Sequence, residues 1–393
     1  MTKGIESIEV NPQRRRLLKG AALGMASLTL PAMPVFASSP SSPKLVWVLL
    51  RGALDSLHTV IPSFDKDYAS LRPTLAKAFD AAPKPIDRGF FLHPSLANLH
   101  KWYLQGDLLP VVATNSGYTE RSHFDGQDYI ESGLAQTNHD SGWLARAIEA
   151  KQAQALAVAR ATPISLRGVE QAGASVNTWY PSNLKDSDED IYLQLQNLYQ
   201  NDPQLLSALE DGMALKMQLG KQPKTQKSGQ FVELAKACGR LLSSQQQGDC
   251  AMLELGGWDT HNNQSGRLNR QLATLDKGLQ ALRDSLGQEW DNTVVIVATE
   301  FGRTAKENGT KGTDHGSASA MFLAGGAVAG GKVAGEWPGL ASSKLYKNRD
   351  LAPTSNMYGW IGAVLKQHWQ LSDVQIAKVF PQQAAYPQRL IQS

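Results

Sequence analysis

Apolar residues are distributed along this chain in two patterns. Five continuous runs, Lys44 to Leu50, Leu108 to Ala113, Ala251 to Leu255, Thr293 to Thr299 and Ala320 to Ala324, show none of the alternation of a half-exposed strand. Continuous apolarity over so short a length predicts strands covered on both faces, as in a parallel sheet. Between runs the spacing turns helical. Leu268, Leu272, Leu275, Leu279, Leu282 and Leu286 recur at intervals of three and four and are followed by Gly287, which predicts an amphipathic helix facing the core with a glycine stop. Strands alternating with such helices predict an α/β fold: a three-layer α/β/α arrangement around a mostly parallel central sheet. The stretch 168–229 is rich in Gln, Asn, Lys and Asp, with Leu205, Leu206 and Leu209 near its middle, and reads as a helical insertion beside one domain spanning 44–393.

The N-terminus has a different character. Arg14-Arg15-Arg16-Leu17-Leu18-Lys19 precedes an apolar run from Ala21 to Met33 and then Val35-Phe36-Ala37, the order of basic, apolar and small-residue regions in an export signal. The apolar run contains Pro31 and falls short of the roughly 20 residues a membrane-spanning helix needs. Paired arginines followed by leucines and a lysine fit the twin-arginine pattern, so residues 1–37 are expected to be a cleaved signal, 38–43 a linker, and the twin-arginine translocase a partner during export to the periplasm. A generic secretory signal is the alternative.

Cleavage would alter the charge argument. Lys3, Arg14, Arg15, Arg16 and Lys19 against Glu6 and Glu9 leave a surplus of three, equal to the whole chain's +3, so the remaining body is neutral. A neutral body argues against nucleic acid as a partner, since such binding rests on neutralising phosphates. No later segment reaches membrane-spanning length. Cys238 and Cys250 are the two cysteines, open to pairing in an oxidising compartment or to burial as free thiols.

Polar clusters adjoin the apolar runs, where open α/β sheets bind ligands. Gly256-Gly257-Trp258-Asp259-Thr260-His261 follows the third run, Glu300-Phe301-Gly302-Arg303-Thr304 follows the fourth, and Asp314-His315-Gly316 precedes the fifth. Asp259, His261, Glu300, Asp314 and His315 offer enough oxygen and nitrogen donors for one or two divalent ions of the Zn or Mn type. A further cluster, Thr119 to Asp125, holds Ser122 beside His123 after the second run. Ser122 is either a nucleophile at a helix N-terminus or an ordinary helix cap. The chain has neither a Gly-x-Ser-x-Gly elbow nor a phosphate loop ending in Lys-Ser/Thr, which counts against a common serine hydrolase and a nucleotide-binding fold.

Leu49-Leu50-Arg51-Gly52-Ala53-Leu54-Asp55, Arg121-Ser122-His123-Phe124, Gly257-Trp258-Asp259-Thr260-His261, Glu300-Phe301-Gly302-Arg303-Thr304 and Thr313-Asp314-His315-Gly316 resemble, in order, the motifs of the bacterial family known as domain of unknown function 1501. That family is grouped with the alkaline phosphatase and sulfatase superfamily, whose enzymes cleave phosphate or sulfate esters with two metal ions. The resemblance implies an alkaline phosphatase-like fold, Asp259, His261 and His315 as ligands of a first metal, and Ser122 near the superfamily's nucleophile. It departs at two points: Arg51 stands where the superfamily's first strand ends in a metal-binding Asp, and Glu300-Phe301 replaces an Asp-His pair. Both put a second metal in question.

These readings together lead to an expected exported, metal-dependent hydrolase or transferase acting on an anionic small-molecule ester. Ser122 and His123 are the expected catalytic pair, and Arg303 and Arg51 the expected guanidinium clamp on developing negative charge. The alternative is a non-catalytic anion-binding or assembly protein that keeps the fold with a degraded metal site. A third reading takes Trp102, Tyr103, Trp143 and Trp179 as a carbohydrate platform.

Overall fold

The computed structural model describes residues 42–392, apart from 172, 182–194, 197, 204, 207–208, 211–229 and 245–247. The expected signal segment and most of the expected insertion lie outside the described residues. Each of the five apolar runs is a strand. They are β1 (Lys44–Arg51), β2 (Leu108–Asn115), β5 (Cys250–Gly256), β6 (Thr293–Thr299) and β7 (Ser319–Ala324). Three shorter strands join them: β3 (Gln154–Ala157), β4 (Ser175–Thr178) and β8 (Ser355–Asn356). The eight form one sheet in the order β8-β2-β7-β6-β1-β5-β3-β4. Strand β7 runs antiparallel to both neighbours, and the remaining pairs are parallel. Strand β4 corrects the helical reading of 168–229, since Ser175–Thr178 pairs with β3 at the sheet edge.

Two buried clusters show why the central strands read as continuously apolar. Val46, Val48 and Leu50 of β1 face one side, with helices α1 (Ala97–Gln105), α4 (Gln230–Ser243) and α5 (Gln264–Leu286). Leu45, Trp47 and Leu49 face the other, with α3 (Trp143–Lys151), α6 (Met357–His368) and α7 (Asp373–Val379). Both faces of β1 are dry, so no position is left for a polar residue, and the molecule is the expected three-layer sandwich. The six spaced leucines of α5 all lie in the first cluster, and the Gly287 N–H caps the helix on the Arg283 carbonyl. Each buried leucine contributes roughly 1.5–3 kcal/mol of transfer free energy.

The topology brings the polar clusters to one rim. Strands β5 and β6 flank β1 in parallel, with Arg51 level with Gly256 and Leu50 level with Thr299, so the chain leaves all three at neighbouring points. Because β7 runs the opposite way, Asp314 and His315, which precede it, fall on that same rim. Ser319 pairs with Thr114 near the end of β2, and helix α2 (His123–Ser132) starts shortly after. No helix among the described residues is long and apolar enough to cross a membrane. Cys238 and Cys250 are buried free thiols. Trp102, Tyr103 and Trp143 are buried in the two cores, and Trp179 packs partly buried against the first, so these aromatics serve packing rather than an open platform.

Candidate metal centre

The backbone of this rim is shaped by tight approaches. Gly52, at φ 120°, sits so close to the loop after β5 that a Cβ there would lie 2.6 Å from the Asp259 nitrogen. Its own N–H donates to Glu300 Oε1 at 2.8 Å. Glu300 is fully buried and accepts also from Gln127 Nε2 (3.1 Å), Thr299 Oγ1 (2.7 Å) and His123 Nδ1 (2.8 Å). Burial alone would raise its carboxyl pKa, but these hydrogen bonds, that from His123 first, hold it below the ordinary range. Glu300 therefore stays an anion inside the protein, and it fixes a proton on Nδ1 of His123.

The other two histidines are held in the same way. His315 Nδ1 lies 2.8 Å from the Arg121 carbonyl, which can only accept, so that nitrogen carries the proton. His261 Nδ1 lies 3.2 Å from Asp314 Oδ1, again an acceptor. Arg121 adopts φ 64°, an uncommon conformation for a side chain of its size, and its guanidinium is anchored at 2.7 Å to buried Asp350. Arg349, bonded to the same carboxylate, also donates to the His315 carbonyl.

With Nδ1 protonated on His123 and His315, their Nε2 atoms present lone pairs toward Asp259, while His261 has a carboxylate oxygen beside each ring nitrogen. Asp259 Oδ1 lies 3.0 Å from His261 Nε2, 3.4 Å from His315 Nε2 and 3.6 Å from His123 Nε2. His261 Nε2 and His315 Nε2 are 3.0 Å apart. His123 Nε2 is buried and has no hydrogen-bond partner. Ligand atoms of His123, Asp259 and His315 all fall within 4.8 Å of one another. A tetrahedral zinc with bonds near 2.05 Å would space its ligands about 3.3 Å apart. An imidazole-rich donor set at such separations suits a borderline divalent ion over Mg²⁺ or Ca²⁺.

The electrostatics agree with that need. Burial disfavours a protonated His123, yet the Glu300 hydrogen bond and the Glu300 and Asp259 charges outweigh it and push its pKa up. His315 is pulled down, by burial first and then by the Arg303 guanidinium and by any proton on His123, against the pull of the Arg121 carbonyl. Asp259 is partly exposed; burial would raise it, but the Arg303 guanidinium at 2.7 Å holds it below the usual carboxylate range.

The DUF1501 family model, described as a protein of unknown function, matches residues 111–380, which contain every one of these side chains. The chain belongs to the DUF1501 family. A search of curated proteins gives no match. Solved structures similar to this DUF1501 chain include Ps i-CgsB in complex with k-i-k-neocarrahexaose (9% identity, 84% of this chain and 72% of that one, TM-score 0.41). Another is the alkaline phosphatase of the Antarctic bacterium TAB5 (10% identity, 87% and 98%, TM-score 0.36). A third is the phosphonate monoester hydrolase of Agrobacterium radiobacter (11% identity, 84% and 74%, TM-score 0.36). At these identities and TM-scores the likenesses have no bearing on what this DUF1501 member does.

Of the expected site residues in this DUF1501 chain, Asp259, His261 and His315 do come together, and several others sit in different roles. His123, expected as a catalytic partner of Ser122, instead aims Nε2 at the converging donors because Glu300 holds its other nitrogen. Glu300 itself is saturated by four hydrogen bonds and acts through His123 rather than as a direct ligand. Asp314 is about half exposed and orients His261. Arg303 is not an open anion clamp: its side chain is wholly buried, bonded to Thr313 and Asp259, so it positions the Asp259 carboxylate. Arg51 is likewise engaged, with Glu131 and Glu254 each at 2.7 Å and Gln127 at 2.9 Å. Held by two carboxylates at the end of β1, this guanidinium is a brace rather than an open clamp. Ser122 caps α2, its Oγ accepting from the Asp125 N–H at 3.4 Å. The missed residues are Glu131, Glu254, Gln127 and Arg121; only their proximity in space reveals them, since Glu131 lies 80 positions from Arg51.

Proposed function

We propose that this protein is a single-metal hydrolase or transferase of phosphate or sulfate esters, exported by the twin-arginine pathway to the periplasm. One observation carries the reading: the imidazoles of His123, His261 and His315 turn their Nε2 atoms toward one carboxylate oxygen, Oδ1 of Asp259. His123, His261, His315 and Asp259 would hold the ion. A divalent ion bound there supplies Lewis-acid polarisation of a phosphoryl or sulfuryl oxygen.

The chain's own groups do the remaining work. Glu300 and the Arg121 carbonyl keep His123 and His315 in the tautomer that leaves Nε2 free, so no reorganisation is needed when the ion arrives. Arg303 fixes the Asp259 carboxylate and balances its charge. Ser122, next to His123 at the start of α2, offers a hydroxyl where the helix N-terminus favours negative charge, and serves as the attacking group in this reading.

Elemental analysis of folded, exported protein is expected to find one equivalent of a divalent transition metal, and phosphate- and sulfate-ester hydrolysis that a chelator abolishes and the metal restores. Loss of the metal in both His261→Ala and His315→Ala would tie it to this site. Protein that binds no metal and gains no esterase activity from added Zn²⁺ or Mn²⁺ overturns the reading and leaves the non-catalytic alternative. For export, replacing Arg14 and Arg15 by Lys should retain the uncleaved chain in the cytoplasm; unchanged fractionation would refute that part alone.

A further inference from the structure

Beside the candidate centre lies a cavity of about 970 Å³ whose wall includes Arg51, Arg160, Arg267, Arg270 and Glu254. Four guanidiniums face one hollow in a body whose charge, signal removed, is neutral. Arg51 is balanced by Glu131 and Glu254. The other three are exposed, and no carboxylate among the described residues pairs with them; Arg160 instead rests over the Tyr180 ring, 4.9 Å from its centroid.

Arg267, Arg270, Gln271 and Thr274 lie on one flank of α5 and line the cavity together. Guanidiniums that no carboxylate among the described residues balances, gathered on one cavity wall, are stabilised by an anion in it, because each charge-assisted hydrogen bond to an oxyanion is stronger than one between neutral groups. The cavity is too large for one oxyanion and matches the size of an organic ligand. Gly256 and Gly257, on its wall, are followed within two residues by Asp259, and Arg51, also on its wall, bonds Gln127, which donates to the same Glu300 that holds His123.

We infer that this cavity is a recognition subsite for an organic ligand carrying two or more sulfate or phosphate esters, one presented at the metal centre while the others are held by Arg160, Arg267 and Arg270. The assignment of the reacting ester rests on the proposed function above; the anion subsite itself does not. Arginine suits such groups because its planar fork matches two oxyanion oxygens at once.

The test is calorimetric titration of chelator-treated protein with sucrose octasulfate and, separately, inositol hexakisphosphate; the tighter probe distinguishes sulfate from phosphate esters as the source. At least one is expected to bind with affinity that falls steeply with salt. The double variant Arg267→Ala/Arg270→Ala should weaken it by at least about tenfold. Arg267→Glu/Arg270→Glu should abolish binding without lowering Tm, because both side chains are exposed and make no ion pair among the described residues, which separates lost recognition from lost folding. If neither probe binds, or if the arginine variants bind as well as the wild type, the subsite is refuted. Binding that survives in a protein with no metal and no hydrolysis would refute the proposed activity and leave the subsite standing.

Discussion

Two aspartates flank the same rim and are treated in opposite ways by the fold. Asp55 is 1% exposed and saturated: Arg72 Nη1 at 2.6 Å and the Gln264 amide bond one oxygen, and the Leu57 N–H bonds the other at 3.1 Å. Arg72, wholly buried, spends its remaining donors on the Thr304 and Ala305 carbonyls. Asp259 is 42% exposed, and one of its oxygens is shared between Arg303 and three imidazoles that cannot all donate to it. The contrast teaches that charge and burial do not mark a binding site; incomplete satisfaction does. Both oxygens of Asp55 are met by fixed donors, whereas one oxygen of Asp259 is approached by more groups than it can bond at once.

That contrast breaks most visibly at Arg72. Replacing it by Met leaves the Asp55 carboxylate buried and unpaired, and should cost about 3–5 kcal/mol in urea unfolding. Asp259→Asn, at the open cluster, should cost far less in the metal-free protein. Equal losses at the two positions would show that the Asp259 group is structural too.

The saturated side also sets a pH dependence. His58, stacked on Phe79 beside Asp55, is buried with neither ring nitrogen hydrogen-bonded, and burial pushes its pKa down to about 3 despite the opposing pull of Asp55. The folded value lies below the unfolded value of about 6.5, so the unfolded chain binds the proton more readily. The associated stability is complete above about pH 6.5 and is lost as pH falls toward the folded pKa, roughly 2 kcal/mol of it by pH 5. Asp55, held below the usual carboxylate range by Arg72 in spite of its burial, does not titrate in that window. Denaturant midpoints for His58→Phe should therefore change less between pH 7 and 5 than those of the wild type. Parallel curves would mean that His58 is solvated.

How much of this was written in the residues differs between strands and site. Strands β1 and β6 were legible because burial on both faces leaves only apolar side chains, as in Val294 to Ala298. Strand β4, Ser-Val-Asn-Thr, was not: it is an edge strand, partly exposed, and polar enough to pass for loop. At the rim, Asp259, His261 and His315 could be picked out because each adjoins a strand. The role of His123 could not, because it depends on which ring nitrogen Glu300 holds, a contact across 177 positions. The arginines misled for a related reason. A guanidinium that clamps a substrate and one that braces a carboxylate are the same residue type, and only Thr313 and Asp259 around Arg303 decide between them.

The open side of the comparison can be sharpened at Glu300, which touches His123 but not the other two imidazoles. Glu300→Gln keeps the shape and removes the anion that fixes the Nδ1 proton. Loss of such a partner behind a metal-binding histidine weakens metal affinity by about 10–100-fold. Competition titration against a chromophoric chelator should show that loss. An unchanged affinity would remove His123 from the ligand set and leave His261, His315 and Asp259.

Ser122 gives the smallest and most discriminating effect, since both of its readings are satisfied by one geometry. As a helix cap, its replacement by Ala should cost about 0.5–2 kcal/mol of stability through the orphaned Asp125 N–H, with metal affinity intact. A cap alone predicts that the Ala, Gly and Asn variants rank in activity as they do in stability, with Asn restoring both. An attacking hydroxyl predicts a different order. Asn then repairs the helix start and not the turnover, and kcat falls in all three variants while the bound metal stays at one equivalent. Measuring unfolding midpoint, metal content and kcat on the same three proteins therefore separates the two roles of this hydroxyl.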